Sequence, residues 1–168
     1  MSHSRYIRPV TPSDLQYLAD NLRDEDYREI EASTHLPPLP ALLTSLAGSE
    51  VTRVICLDED VPCAVFGTSV IGPNVHSLWM VGTSDMAEKH PRTIARYSKA
   101  VIEELFETTG ALVFFNLTHK PNTLHHRWLR WCGAIVGKNE VLSGPNLKEP
   151  FYPFVIYNKK LRDINNVY

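Results

Sequence analysis

Residues 75–82 read VHSLWMVG, residues 91–108 read PRTIARYSKAVIEELFET, and residues 111–117 read ALVFFNL. Together these three stretches decide the fold class. The first is a β-type run bounded by the turn composition Gly72-Pro73-Asn74. In the second, Ile94, Val101, Ile102, Leu105 and Phe106 fall on one side of a helix that Gly110 closes. The third is a nearly continuous apolar run, as expected of a central strand buried on both faces. A strand, a long helix and a buried strand in succession predict one parallel crossover.

Working outward toward the N-terminus, residues 51–57 and 61–71 are two more β-type runs. Asp58-Glu59-Asp60 and Gly72-Pro73-Asn74 separate the runs, and such short connections make them an antiparallel meander with 75–82. Further upstream, Tyr6 to Val10 is a short extended element. Thr11-Pro12-Ser13-Asp14 opens a helix whose Leu15, Leu18, Ala19 and Leu22 form one stripe. Asp24 is the expected cap of a second helix carrying Tyr27 and Ile30, with its charged residues on a solvated face. After the break at residues 35–40, Pro40 starts a third helix through Leu42, Leu43 and Leu46, ended by Gly48. Downstream, Asn122 opens a helix with Leu124, Trp128, Leu129 and Trp131, ending at Gly133. Residues 134–136 and 151–157 are the last strands, joined by a loop containing Gly144-Pro145-Asn146. The expected architecture is α/β, a mixed and mostly antiparallel sheet of about six or seven strands flanked by helices, in a single domain over residues 1–168.

Composition narrows the class. The chain has 168 residues, 43% of them hydrophobic, and 17 Lys and Arg against 19 Asp and Glu. A net charge of −2 supplies no broad field for gripping nucleic acid or an anionic membrane, so neither is an expected partner. No apolar run approaches the roughly 20 residues of a membrane span, and the start MSHSRYIRP has no signal-like apolar stretch. Three cysteines without a C-x-x-C pair do not read as a disulfide framework. These bounds describe a soluble, intracellular-type protein.

The element order resembles that of the GNAT (Gcn5-related N-acetyltransferase) superfamily. YIRPVTPSDLQYLADNL, residues 6–22, resembles its opening strand and helix, and NTLHHRWLRWCGA, residues 122–134, resembles its late helix. Within that fold the chain is similar to a phage family, the internal virion proteins of short-tailed phages and their GNAT-like relatives. LADNLRDEDYREIEA, LWMVGTSDMAEKHPRTIARYSK and SGPNLKEPFYPFVIY carry that likeness, together with the late helix. The resemblance implies a GNAT-like acyl-CoA N-acyltransferase fold. It also implies a role in virion assembly or within the particle, and a location in the host cytoplasm or the virion.

The superfamily likeness implies acetyl-CoA as cofactor. On that likeness the backbone of Val81 and Gly82, with Thr83, holds the pantetheine arm, and Asn122 lines its path. A glycine-containing loop normally cradles the pyrophosphate, because a helix start offers free N–H groups and glycine lets the backbone approach. Here no glycine stands between Thr83 and Gly110, and Arg92 is the expected replacement, charge for dipole. Leu129 occupies the position where the superfamily usually has a proton-donating tyrosine, and Ala134 replaces a phenylalanine. Glu103, Glu104, His119 or a water are the candidate bases. Three functions follow: a virion protein with a degenerate acetyl-CoA site, an acetyl-CoA-dependent N-acetyltransferase acting on a host protein or small amine, and a non-catalytic module that binds a host partner.

Other constellations read blandly. His119, His125 and His126 lie near Cys132, but adjacent helical positions point about 100° apart, so no metal site is expected and the histidines read as surface or capping residues. Cys56 and Cys63 read as small core residues. No G-x-S-x-G elbow is present, and Gly67-Thr68-Ser69 lacks the lysine of a P-loop. Trp128 and Trp131 share a helix face and read as core. Tyr152 and Phe154 share one strand face with Tyr157 on the other, which leaves either a core or a surface for self-association or contact with a phage or host protein.

Overall fold

The computed structural model describes residues 6–57 and 60–165. Asp58 and Glu59 of the first expected turn, and the first five residues, lie outside that range. The chain opens with β1 (Ile7–Arg8), α1 (Pro12–Asp20), α2 (Asp24–Thr34) and α3 (Pro38–Ala47). The meander follows as β2 (Val51–Leu57), β3 (Val61–Gly72) and β4 (Val75–Gly82). Then come α4 (Ser84–Glu88), α5 (Pro91–Thr109), β5 (Val113–His119) and α6 (Thr123–Trp131). The chain closes with β6 (Ile135–Val136), β7 (Val141–Ser143), β8 (Glu149–Tyr157) and α7 (Lys159–Asn165). The sheet order is β1-β2-β3-β4-β5-β8-β6, with β7 also on β8. Among the described residues only the β4–β5 pair is parallel, as the crossover requires. The mixed, mostly antiparallel architecture is therefore present, with eight strands among the described residues rather than six or seven. β7 escapes a sequence reading because its three residues become a strand only by pairing Val141 with Phe151 across a loop.

Each sheet face buries its own core. Ile94, Val101, Ile102, Leu105 and Phe106 of α5 pack with Trp128 and Leu129 of α6 on Phe66, Leu78, Met80 and Phe114. The Phe106 and Phe114 rings stack at 4.0 Å, and Trp128 meets Phe66 edge-on at 5.6 Å. On the opposite face Leu15, Leu18, Ile30 and Leu42 cover Val65 and Val81. Gly110 ends α5 at φ 70, a left-handed turn in which its N–H bonds Phe106 O at 3.0 Å. Asp14 reaches back to the Thr11 N–H at 2.8 Å and opens α1 as expected.

Several expectations need correction. α3 starts at Pro38, two residues before Pro40, and Arg23 rather than Asp24 occupies the N-cap position of α2, without a side-chain capping bond. The charged residues of α2 do not form one solvated face, since Asp26 is 1% exposed and Arg23 is 3% exposed. β5 is not buried evenly: Phe114 is fully enclosed, while Phe115, Asn116 and Leu117 are half-buried because β4 parts from β5 beyond this point. His119, His125 and His126 are all buried. Trp131 is 53% exposed, its Nε1 donating to Ala95 O and Lys99 lying over its ring, so only Trp128 joins the core. Phe154 is core, and Tyr152 sets its ring against His126. Cys56 and Cys63 are free buried thiols, each pushed up to about 12 by burial, and so sit as small core groups.

Candidate active site

The site begins where the parallel ladder stops. β4 and β5 pair only through Val75↔Val113, His76↔Phe114 and Ser77↔Phe115, then diverge. Backbone groups alternate sides along a strand, so Leu78, Met80 and Gly82 turn theirs toward the opening while Val81 turns its own toward Val65 of β3. Two of the three are satisfied by other parts of the chain. Asn116 Nδ2 donates to Leu78 O at 2.9 Å. The Gly82 N–H donates to Asp26 Oδ2 at 2.9 Å, and the Arg23 N–H donates to Gly82 O at 3.1 Å. Met80, between them, faces the opening and lines a cavity of about 210 Å³.

A buried polar network crosses the opening from α2 to α6. The Arg23 guanidinium donates to Asp26 Oδ1 at 2.9 Å and to Asn122 Oδ1 at 3.0 Å. Asn122 Nδ2 donates to Asp26 Oδ1 at 2.9 Å and to Glu29 Oε2 at 2.7 Å. His125 follows, with Nδ1 3.0 Å from Thr118 Oγ1 and 3.5 Å from Glu29 Oε2. Burial pushes the His125 imidazole down, but the Glu29 and Asp26 carboxylates outweigh it and hold the group above its ordinary value. Its neighbour His126 moves the other way, lowered by burial, although its Nε2 is bonded to His119 O.

The cavity is lined by Ile30, Leu42, Trp79, Leu117 and Phe154 on its apolar side, and by Glu29, Ser33, Thr34, Asn116 and His125 on its polar side. Across the sheet, Met86, Pro91, Ile94, Leu124, Arg127 and Trp128 line a second groove of about 240 Å³ between the start of α5 and α6. Of the residues singled out from sequence, the structure brings Gly82, Thr83 and Asn122 to this opening. Thr83 is buried, caps α4 through the Met86 N–H, and bridges to Leu22. Val81 lies beside the opening, and Arg92 is an exposed residue of the first turn of α5. The base candidates lie elsewhere. Glu103 pairs with Lys159, Glu104 pairs with Arg53 at 2.6 Å, and His119 faces Glu149. Sequence reading missed Arg23, Asp26, Glu29 and His125. The available signal was the three-residue spacing of 23, 26 and 29, which puts those charges on one helix side next to Ile30. Among the described residues, no three His, Cys, Asp or Glu side chains group as metal ligands, and no helix is long and apolar enough to cross a membrane.

No family model and no curated protein matches the chain. Solved structures do. The GNAT-family acetyltransferase from Bacillus anthracis aligns at TM-score 0.66 and 12% identity, covering 90% of this chain and 93% of that one. AAC(6')-Ib in complex with ribostamycin and coenzyme A aligns at 0.68 and 15%, covering 94% and 95%. A chimera of the Vibrio cholerae spermidine N-acetyltransferase SpeG and hSSAT aligns at 0.63 and 10%, covering 92% and 96%. The fold is that of the GNAT N-acyltransferases. At these identities the likeness carries the GNAT fold and no particular substrate.

The residues at the opening can be tested against the coenzyme that this fold implies. Met80, with its backbone turned to the cavity, fits an amide-bearing arm. The phosphate end fits differently from a glycine cradle. α4 fills the connection, and a Cβ on Gly82 would meet Met86 Sδ at 2.5 Å, so that glycine makes room for methionine. Positive charge at this end comes from exposed Arg92 and Arg127.

Proposed function

We propose that this chain is an acyl-CoA-dependent N-acyltransferase that modifies an amine on a protein or small molecule. The observation that carries the reading is the ladder end at Ser77↔Phe115, which turns Met80 toward a cavity open enough for a reacting group. The thioester would supply the acyl group. The Met80 backbone would orient the arm, the groove between α5 and α6 would cover it, and Arg92 would meet the phosphates. Leu78, Trp79 and Phe154 would keep water from the cavity. Calorimetry with acetyl-CoA tests this directly, followed by thiol release with a panel of primary amines. Micromolar binding and amine-dependent release are expected, and silence at millimolar acetyl-CoA overturns the reading. Arg92→Ala should weaken binding by about 1.5–3 kcal/mol, the scale of a hydrogen bond to a charged group; an unchanged affinity removes Arg92 from the phosphate site.

Two observations favour a second reading. Both Gly82 backbone groups are already engaged by Arg23 and Asp26, and fully buried Leu129 has no proton to give. A chain locked in this way would act through its surface, as the likeness to phage internal virion proteins suggests, in the particle or bound to a host protein. Mass spectrometry of purified particles, together with absent acetyl-CoA binding, would support it.

A further inference from the structure

Three buried side-chain atoms among the described residues have no hydrogen-bond partner: Thr68 Oγ1, His76 Nδ1 and His125 Nε2. His76 Nδ1 has the Glu50 carboxylate 3.2 Å away. Only His125 lines the cavity at the β4–β5 opening. A buried polar atom left unpaired carries a free-energy penalty, and on a residue that lines a cavity it asks for a ligand or a proton. Nε2 is itself buried, so an amine reaches it only as the cavity wall gives way.

We propose that His125 Nε2 is the proton acceptor for an amine bound in this cavity and that Glu29 is its positioning residue, an inference that rests on the acyltransferase reading. Glu29 can only accept, so its carboxylate beside Nδ1 keeps a proton on that nitrogen and leaves the lone pair on Nε2. Thr118 Oγ1, 3.0 Å from Nδ1, fixes the ring from β5, and the Trp128 ring lies 5.7 Å away. The charged and titratable groups around the ring are Glu29 and Asp26 from α2, Arg23 at its cap, and His126 beside it on α6. The two carboxylates make the ring a stronger base than a free imidazole. The proton balance is simple. The acceptor's ammonium nitrogen gives one proton to Nε2, and its freed electron pair would form the C–N bond to the acyl carbon as the thioester C–S bond breaks. The nitrogen's second proton would go to the departing thiolate, and the imidazolium returns its proton to solvent. The substrate class is thus a primary amine that enters as an ammonium ion.

The experiment combines kinetics with a readout independent of turnover. In the full chain, kcat/KM should rise with pH on a limb centred above about 6.5, the ordinary histidine value. His125→Gln should erase that limb and lower kcat/KM about 10²- to 10⁴-fold, the usual range of a general base. Glu29→Gln keeps the ring and should shift the limb to lower pH. In the unliganded protein, the imidazole titration of His125 followed by NMR should move to lower pH in the same variant, the effect of removing a nearby opposite charge. Acetyl-CoA calorimetry on both variants checks that the fold and the coenzyme site survive. If the wild type binds and turns over while both variants keep its pH limb, the inference is wrong and the acyltransferase reading stands. If the wild type does not bind acetyl-CoA, that reading fails and takes this inference with it. An NMR titration unmoved by Glu29→Gln also overturns the role given to Glu29.

Discussion

The two halves of β4 are held by different means. From Val75 to Ser77 the strand is paired on both edges, with β5 in register and with β3 through a register shift beside Gly72. From Leu78 to Gly82 it keeps β3 but loses β5, and side chains take the place of the missing strand: Asn116 at Leu78, then Asp26 with the Arg23 backbone at Gly82. A sheet can open inside a protein only if its freed N–H and C=O groups find partners. Here those partners bring buried charge with them. The closed half is held by strand pairing on both edges, and the open half, which carries the core residues Leu78, Met80 and Val81, adds a few side-chain bonds whose loss leaves a buried group unpaired.

That contrast is open to breaking, and Asp26→Ala should break it hardest. It leaves the Arg23 guanidinium buried without its carboxylate and the Gly82 N–H without an acceptor. A loss of about 3–5 kcal/mol is expected in urea unfolding, the range for removing one partner of a buried ion pair. A loss under about 1 kcal/mol would mean that water repairs the site and that the open half is less sealed than its burial implies.

Asn116→Ala is gentler. It frees Leu78 O at the point of divergence and the Leu117 N–H that Asn116 Oδ1 accepts. About 1–3 kcal/mol is expected, because the residue is only half-buried and water can reach part of the gap. Hydrogen exchange should quicken at residues 78–82 and stay slow at 75–77. Equal quickening of both halves would show that they unfold as one unit.

The smallest effect concerns a carboxylate outside the cleft. Asp14 is opposed by burial, yet the Arg8 guanidinium at 2.7 Å and the Thr11 groups hold its carboxyl below the usual value of 3.8. A depressed carboxyl contributes stability that is fully present above that value and is lost as pH falls through its folded value. Asp14→Asn should therefore lower stability at neutral pH and flatten the acid limb below 3.8. An unchanged acid limb would show that Asp14 does not set the acid sensitivity.

Much of the fold was legible because its signals are local. The β4–α5–β5 succession shows as a change of hydrophobic period, and Gly110 punctuates it with the left-handed φ that its position needs. Most of the boundaries within residues 51–117 follow from such features. The candidate site was legible only in outline. Asn122 and Gly82 stand at the opening, but the three-residue spacing of 23, 26 and 29 is the one hint at Asp26 and Glu29, and nothing in the sequence singles out His125. A charge on an amphipathic helix reads as solvated unless something outside the helix covers it.

The amino-acid sequence by itself determined the order of the longer elements but not α4, β7 or α7, together with the parallel crossover, the two apolar helix faces and the absence of a glycine cradle after β4. Each is a property of neighbours in the chain, set by residue period, turn chemistry or composition. Only the tertiary structure decided which polar groups are buried and whom they meet. Asn122 bonds Arg23 and Asp26 across 99 and 96 residues of chain, and Asp26 bonds Gly82 across 56. Contacts at such separation exist because the β4–β5 divergence leaves peptide groups to satisfy, a demand no single element carries in its own sequence.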